Sequence, residues 1–387
     1  MGQFPARGLA RQCWSFVLGE FVCVCYLIEM ADQRADYSFE ELAVWRTKLP
    51  KAKHAILPPE TNRPNPLVHK GRLYVSVFSS GAVCALDAKN GRMLWRRELP
   101  SLGSDSVHIA RATLFAKTAT TLYALDPRTG RTVWTFCPYG DSGETIYSHP
   151  ALHGNKLFIG DRYGYLHCLD SRTGKNKWKV LTNTEKNSDV NSTPVVAKGL
   201  VIVATNANMA AGYDITSGKR VWVRRLNGPS SFGPLLFRQQ LAVITDSVYL
   251  LNAGTGEIIR KFSWKDDAAS RADCTQRNVV CVLRGNWPSD GTAKLIGLDE
   301  KGVRFTQSST AYVAFVRYAK ETKLVYVSHL EGIDVRRQST GVLAFRIRRS
   351  KISSGISQVD VATNKIYALT GDGYLYALRH PAVPKSD

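Results

Sequence analysis

The stretch Val83-Cys84-Ala85-Leu86-Asp87-Ala88-Lys89-Asn90-Gly91-Arg92-Met93-Leu94-Trp95 decides the fold, because it returns along the chain. Its second copy is Leu122-Tyr123-Ala124-Leu125-Asp126-Pro127-Arg128-Thr129-Gly130-Arg131-Thr132-Val133-Trp134. A third passes through Asp170 and Gly174 to Trp178, and a fourth through Asp214 and Gly218 to Trp222. Later copies decay. The fifth has Asn252, Gly256 and then Arg260 where Trp is expected; the sixth has Asp299, Gly302 and Phe305; the seventh keeps Ser339-Thr340-Gly341 and reaches Phe345. The marker glycines 91, 130, 174, 218, 256, 302 and 341 recur at a mean spacing of about 42 residues, the size of one blade of a circular repeat fold.

Each part of the phrase has a physical task. The apolar run before Asp reads as one strand and the run ending in Trp as the next. Asp-x-x-x-Gly between them is hairpin chemistry: the carboxylate accepts turn N–H groups, and Gly takes the positive-φ position that closes a short loop with a bulge. The recurring Trp reads as structural. An indole buried between blades removes about 150–250 Å² from water, on the order of 4–6 kcal/mol as an upper bound.

Working outward, another strand precedes each phrase, such as 71–75 or 155–160, and an inner strand is expected around 148–152 and 192–196. Four strands make a blade. Near the N-terminus, Val44-Trp45-Arg46-Thr47-Lys48-Leu49-Pro50 reads as an outer strand with no blade before it. At the C-terminus two strands, 365–369 and 374–378, have no outer strand after them. The simplest closure has the N-terminal strand complete the last blade and cover its open edge. Outer strands at Trp45, Trp95, Trp134, Trp178, Trp222, Arg260, Phe305 and Phe345 then predict an all-β, eight-bladed propeller of four-stranded antiparallel blades. Seven blades is the alternative. The expected organisation is an N-terminal segment over 1–41, a single propeller over 42–380 and a tail over 381–387.

Ala-Leu-Asp-x-x-Thr-Gly-x-x-x-Trp resembles the repeat of the pyrroloquinoline-quinone (PQQ) enzymes and their non-catalytic relatives, over residues from about 42 to 380. No copy carries the Trp-Asp of WD repeats or the Gly-Gly of kelch. The resemblance implies two functions. Quinone-dependent alcohol and sugar dehydrogenases hold PQQ and Ca²⁺ in the central channel with an Asp base, and many soluble members carry an adjacent Cys-Cys disulfide. This chain has no Cys-Cys pair and no inserted loops that would build a substrate chamber. In length and repeat density it is more similar to the non-catalytic, BamB-like branch of outer-membrane-assembly propellers, which act as scaffolds.

Composition adds less. Lys plus Arg is 52 against 32 Asp plus Glu, a formal net charge of +20, which suits an acidic partner or simply a solvated basic surface. Of eight cysteines, Cys13, Cys23 and Cys25 precede the repeats; Cys84, Cys137, Cys168, Cys274 and Cys281 lie within them, with no CxxC spacing. Cys84 and Cys168 read as small core residues, and Cys274 and Cys281 are candidates to bridge neighbouring strands. The pattern leans towards a reducing compartment. Arg7 and Arg11 precede an apolar stretch, Cys13 to Met30, like a signal peptide or anchor, but Glu20 interrupts it, and a true start at Met30 is an alternative. A cytoplasmic location is expected, with a periplasmic or membrane-associated one through the N-terminal segment as the alternative.

No catalytic, cofactor-binding or metal residue is assigned. His149 and His153 are four apart, but Pro150 forbids a helix between them. Asp141, Glu144, Asp189 and Asp360 precede inner strands and are the candidates for a base or a Ca²⁺ ligand, with rim solvation as the plainer reading. Arg96-Arg97, Arg224-Arg225 and the 346–351 cluster follow outer-strand positions. They read either as phosphate contacts or as charged edge protection, and their spread around the ring favours the second. The expectation is a non-enzymatic, monomeric scaffold for a protein or peptide, without cofactor. The alternatives are a PQQ-dependent dehydrogenase, and a basic propeller that associates with nucleic acid or another polyanion.

Overall fold

The computed structural model describes residues 35–49, 66–77, 80–100, 107–140, 146, 148–182, 189–190, 192–230, 233–264, 267–285, 293–309, 313–329, 331–349, 356–362 and 364–381. Among them the strands form eight sheets, built in each case from the repeated phrase and the two strands before it. Seven are consecutive antiparallel blades over residues 67–98, 108–136, 151–181, 195–225, 235–262, 267–309 and 313–348. The eighth joins Ile356–Ala362, Lys365–Thr370 and Tyr374–Arg379 to the N-terminal strand Ala43–Lys48. There Trp45 pairs with Ala377 and Lys48 with Tyr374, the closure that the sequence predicts. Eight apolar clusters of the core each join two successive blades, the last bringing Leu49, Tyr367 and Leu375 against Leu73, Cys84 and Leu86. The ring is thus an eight-bladed β-propeller whose core is its seams.

The hairpin chemistry is as read. Asp126 Oδ1 accepts the amides of Arg128 and Thr129 at 2.7 and 2.9 Å, and Asp214 Oδ1 those of Thr216 and Ser217 at 3.0 and 2.7 Å. Asn252 does the same for Gly254 and Thr255. A register shift follows each turn, for example between Gly212 and Tyr213. The inner strands at Ala151–His153 and Val195–Ala197 begin from a serine whose hydroxyl holds the end of the next strand. Ser148 Oγ accepts from Gly160 N at 2.6 Å, and Ser192 Oγ donates to Ala204 O at 2.6 Å.

The turn glycines explain the Trp. Gly256, at φ +68°, lies so close beneath the Trp222 indole that a Cβ there would come within 2.3 Å of it. The same stacking joins Trp45 to Gly91, Trp95 to Gly130, Trp134 to Gly174 and Trp178 to Gly218. The indole N–H then donates across the seam, from Trp95 to Pro127 O at 3.0 Å and from Trp222 to Ala253 O at 3.2 Å. Full indole burial is nonetheless a correction to make. Of these five indoles Trp222 is buried, while Trp45, Trp95, Trp134 and Trp178, on the equivalent outermost strands, are half-buried.

Ala35–Ser38 and the helical turn Phe39–Leu42 lie ahead of the first repeat strand. Ser38 and Glu41 form a reciprocal capping box on the turn, and Phe39 and Leu42 are buried between the last two blades. Ala35–Ser38 pairs in parallel with the outer strand Leu343–Arg348, giving that blade a fifth strand.

Candidate functional site

The innermost strands ring the propeller axis, and the ladders align one position across all eight. Leu67, His108, Ala151, Val195, Leu235, Asp273, Arg317 and Asp360 each lie opposite the equivalent residue of the following strand. Four of these eight positions are apolar and a fifth is His108. Three successive blades carry charge instead. Arg317 lies 4.0 Å from Asp273 and 3.8 Å from Asp360, one carboxylate on each neighbouring blade.

These carboxylates also clasp backbone. Asp273 Oδ2 accepts Tyr318 N at 2.8 Å, and Asp360 Oδ2 accepts Val68 N at 3.1 Å, the latter across the seam between the last blade and the first. Cys274 N donates to the other oxygen of Asp273 at 2.8 Å. Burial pushes both carboxyls above the usual Asp range, and the Arg317 guanidinium offsets only part of it. The arrangement can order the channel wall and present one cation flanked by two acids.

Of the residues singled out from sequence, Asp360 belongs to this cluster. Asp189 does not: it is half-buried ahead of another inner strand, its carboxyl raised by burial. Asp141, Glu144 and the apolar stretch Cys13 to Met30 lie outside the described residues. His149 is buried and His153 exposed, on a loop and a strand end. Cys274 and Cys281 sit on adjacent strands but are both free, so the bridge considered for them is not made. Burial pushes both thiols up, along with Cys84, which rises to about 12. Among the described residues no group of three His, Cys, Asp or Glu is arranged to hold a metal.

Sequence reading missed Asp273 and Arg317. Asp273 stands six residues before Val279, as Asp360 stands six before Ile366 and Leu67 six before Leu73. Aligning inner strands by that offset would have found it. Arg317 is displaced by two extra residues in the turn that follows it.

The basic clusters also resolve. Arg97 donates to Thr132 Oγ1 at 3.2 Å and Arg224 to Gly256 O at 2.9 Å, both on the next blade. In the third cluster the edge-protection reading needs correction: that edge is covered by Ala35–Ser38. Arg346 turns inward to Asp334, and Arg349 reaches Asp372 at 2.6 Å.

A family model of the PQQ-repeat type, described as outer membrane protein assembly factor BamB, matches residues 42–135 and 118–260. The outer membrane protein assembly factor BamB of Salmonella typhimurium is 33% identical over 102 residues, 26% of this chain and 25% of that protein. A polyvinylalcohol dehydrogenase of a Pseudomonas species is 30% identical over 118 residues, 28% of this chain and 18% of that enzyme. Each match thus spans a quarter or less of the relative's length. The quinohemoprotein alcohol dehydrogenase ADHIIG of Pseudomonas putida HK5 superposes with a TM-score of 0.66 at 13% identity, over 89% of this chain and 78% of that one, a likeness of fold.

Proposed function

Because the chain belongs to the family described as outer membrane protein assembly factor BamB, we propose that it is a non-enzymatic propeller that scaffolds protein partners in outer-membrane assembly. The observation that carries the non-enzymatic part is Arg317. The Arg317 guanidinium stands between the two inner-strand carboxylates, where a divalent ion would need them, and backbone amides also engage these carboxylates. This donor set does not suit Ca²⁺, which takes six to eight oxygen ligands. On this reading neither PQQ nor a metal is bound. The family match also favours the periplasmic, membrane-associated location over the cytoplasmic one. Arginines that tie neighbouring blades together support edge and seam roles over a nucleic-acid surface.

The dehydrogenase reading rests on the polyvinylalcohol dehydrogenase match, and one experiment separates the two. Titration with PQQ in the presence of Ca²⁺, followed by tryptophan fluorescence and calorimetry, is expected to give no saturable signal; one-to-one binding at micromolar or tighter would overturn the scaffold. In parallel, a photocrosslinking residue at exposed outer-strand positions Val44, Val133 or Val303 is expected to trap envelope assembly proteins in cells. No crosslink at any of them counts against the scaffold.

A further inference from the structure

The circle that aligns Leu67, His108, Val195 and Leu235 also aligns the turns beyond it. Three residues on, the two-residue turns out of these innermost strands open on Lys70, Arg111, Lys198 and Arg238. The longer turns at the same end of the sixth and seventh blades carry Arg277, Lys320 and Lys323. All of these side chains are exposed, and together they form a basic collar around one mouth of the channel. Glu321 is the one acid on these turns among the described residues. Arg238 is paired with Glu300 of the next blade, and Lys198 donates to the neutral Gln239 at 2.5 Å. Lys70, Arg111, Lys320 and Lys323 make no ion pair among the described residues. At the opposite mouth the sign reverses. There the turns between second and third strands carry Asp161, Asp246, Glu331 and Asp372 against Arg162 alone, among the described residues.

The backbone adds a second observation. Lys70, Arg111, Lys198, Arg238 and Lys323 sit at φ +47°, +48°, +53°, +55° and +56°. A long side chain is uncommon in this left-handed region, and a tight hairpin turn prefers Gly or Asn there. The third blade has Gly154 at φ +60° where the others open on Lys or Arg, so glycine fits the turn. The collar thus holds basic side chains where the fold alone would take glycine.

We propose that this collar is a docking surface for an acidic segment of a partner protein. Charge complementarity carries the assignment: a run of Asp and Glu laid across the mouth meets a cation from each of several blades. Among the described residues these turns bear no aromatic ring on which a base could stack and no large apolar side chain to enter a lipid surface, which favours protein over nucleic acid or membrane. This rests on the scaffold reading and assigns the partner's chemistry.

The probe is a fluorescein-labelled peptide of repeated Asp-Gly-Glu-Ser, titrated into the full chain and read by anisotropy at low and at moderate salt. Saturable binding that weakens with salt is expected. Combining Lys70→Gly, Arg111→Gly and Lys198→Gly should leave melting close to the parent, because glycine suits the turn, and weaken binding at least tenfold. Reversal of the same three residues to Glu is the second variant, decisive should the glycine variant fail to melt like the parent. The matched control is Arg128→Glu, Arg172→Glu and Lys219→Glu on the exposed outer turns, expected to weaken binding less than about threefold. No saturable binding, an equal loss in the control, or a single-stranded oligonucleotide or phosphatidylglycerol vesicle that binds through the collar more tightly than the peptide would overturn the proposal. If the peptide fails while crosslinks at Val44, Val133 or Val303 persist, the collar is excluded and the scaffold stands; if both fail, the scaffold falls with it.

Discussion

Two seams of the ring solve one problem with different chemistry. Between the fourth and fifth blades, Trp222 stacks on Gly256 and donates to Ala253 O. Between the fifth and sixth, Arg260 replaces Trp, and its guanidinium donates to Glu300 O at 3.1 Å. Glu300 also pairs with Arg238 at 2.7 Å. The acceptor is the same backbone position, the residue after the turn Asp or Asn, but the packing is gone: the nearest atom to a Cβ at Gly302 would be Arg260 Nη2 at 3.9 Å. The carbonyl is the constant of the repeat and the indole is one way to reach it. Where the repeat decays, buried charge takes over. Asp334, fully buried in the seventh blade, is held by His329 at 3.3 Å, Arg336 at 2.9 Å and Arg346. Burial pushes its carboxyl up, but the hydrogen bonds from His329 and Arg346 and the charge of Arg336 outweigh that and hold it well below the usual range.

The sharpest way to break this contrast is Asp334→Ala, which strands two arginines beside an empty cavity. A loss of about 3–5 kcal/mol is expected from urea midpoints at pH 7. Because the native carboxyl is depressed, its contribution is present above the unfolded Asp pKa of about 4 and is lost as pH falls through the lower native value. The gap between parent and variant should therefore narrow in acid.

Next in size is Gly256→Ala. Left-handed backbone and a clash with the indole act together, at about 3 kcal/mol, whereas Gly302→Ala meets backbone strain without a clash, at about 1 kcal/mol. Equal losses would mean that the indole does not confine the turn.

Arg317→Met tests the channel wall. Two partly buried carboxylates lose their cation, at about 2 kcal/mol at pH 7 once solvent screening is allowed for. Their native pKa values are raised already and would rise further, so their penalty sets in as pH climbs above the unfolded value. The variant should recover towards the parent near pH 4, and a pH-independent loss would assign Arg317 to packing instead.

The smallest effects should separate the two seams themselves. Trp222→Phe is expected to lose about 1–2 kcal/mol through one hydrogen bond and some apolar area. Arg260→Met, at an exposed position, should lose under about 0.5 kcal/mol. A reversal would place the weight of the ring in its decayed half.

The repeat phrase, its turn chemistry, the eight outer strands and the closing role of Val44 to Leu49 were all legible along the chain. Each depends on contacts within a few residues, or on a hydrophobic period that any copy restates. Asp273, Arg317 and Asp360 were not legible together. They lie more than forty residues apart in pairs and meet because the ladders bring one inner-strand position round the ring, including past a turn lengthened by two residues. Nor did any local pattern announce that Ala35–Ser38 would cover one outer strand, while its equivalent at Arg220–Arg225 has no fifth strand among the described residues. That placement is tertiary: Phe39 and Leu42 are buried between the last two blades, which brings the residues just before them against the outer strand Leu343–Arg348.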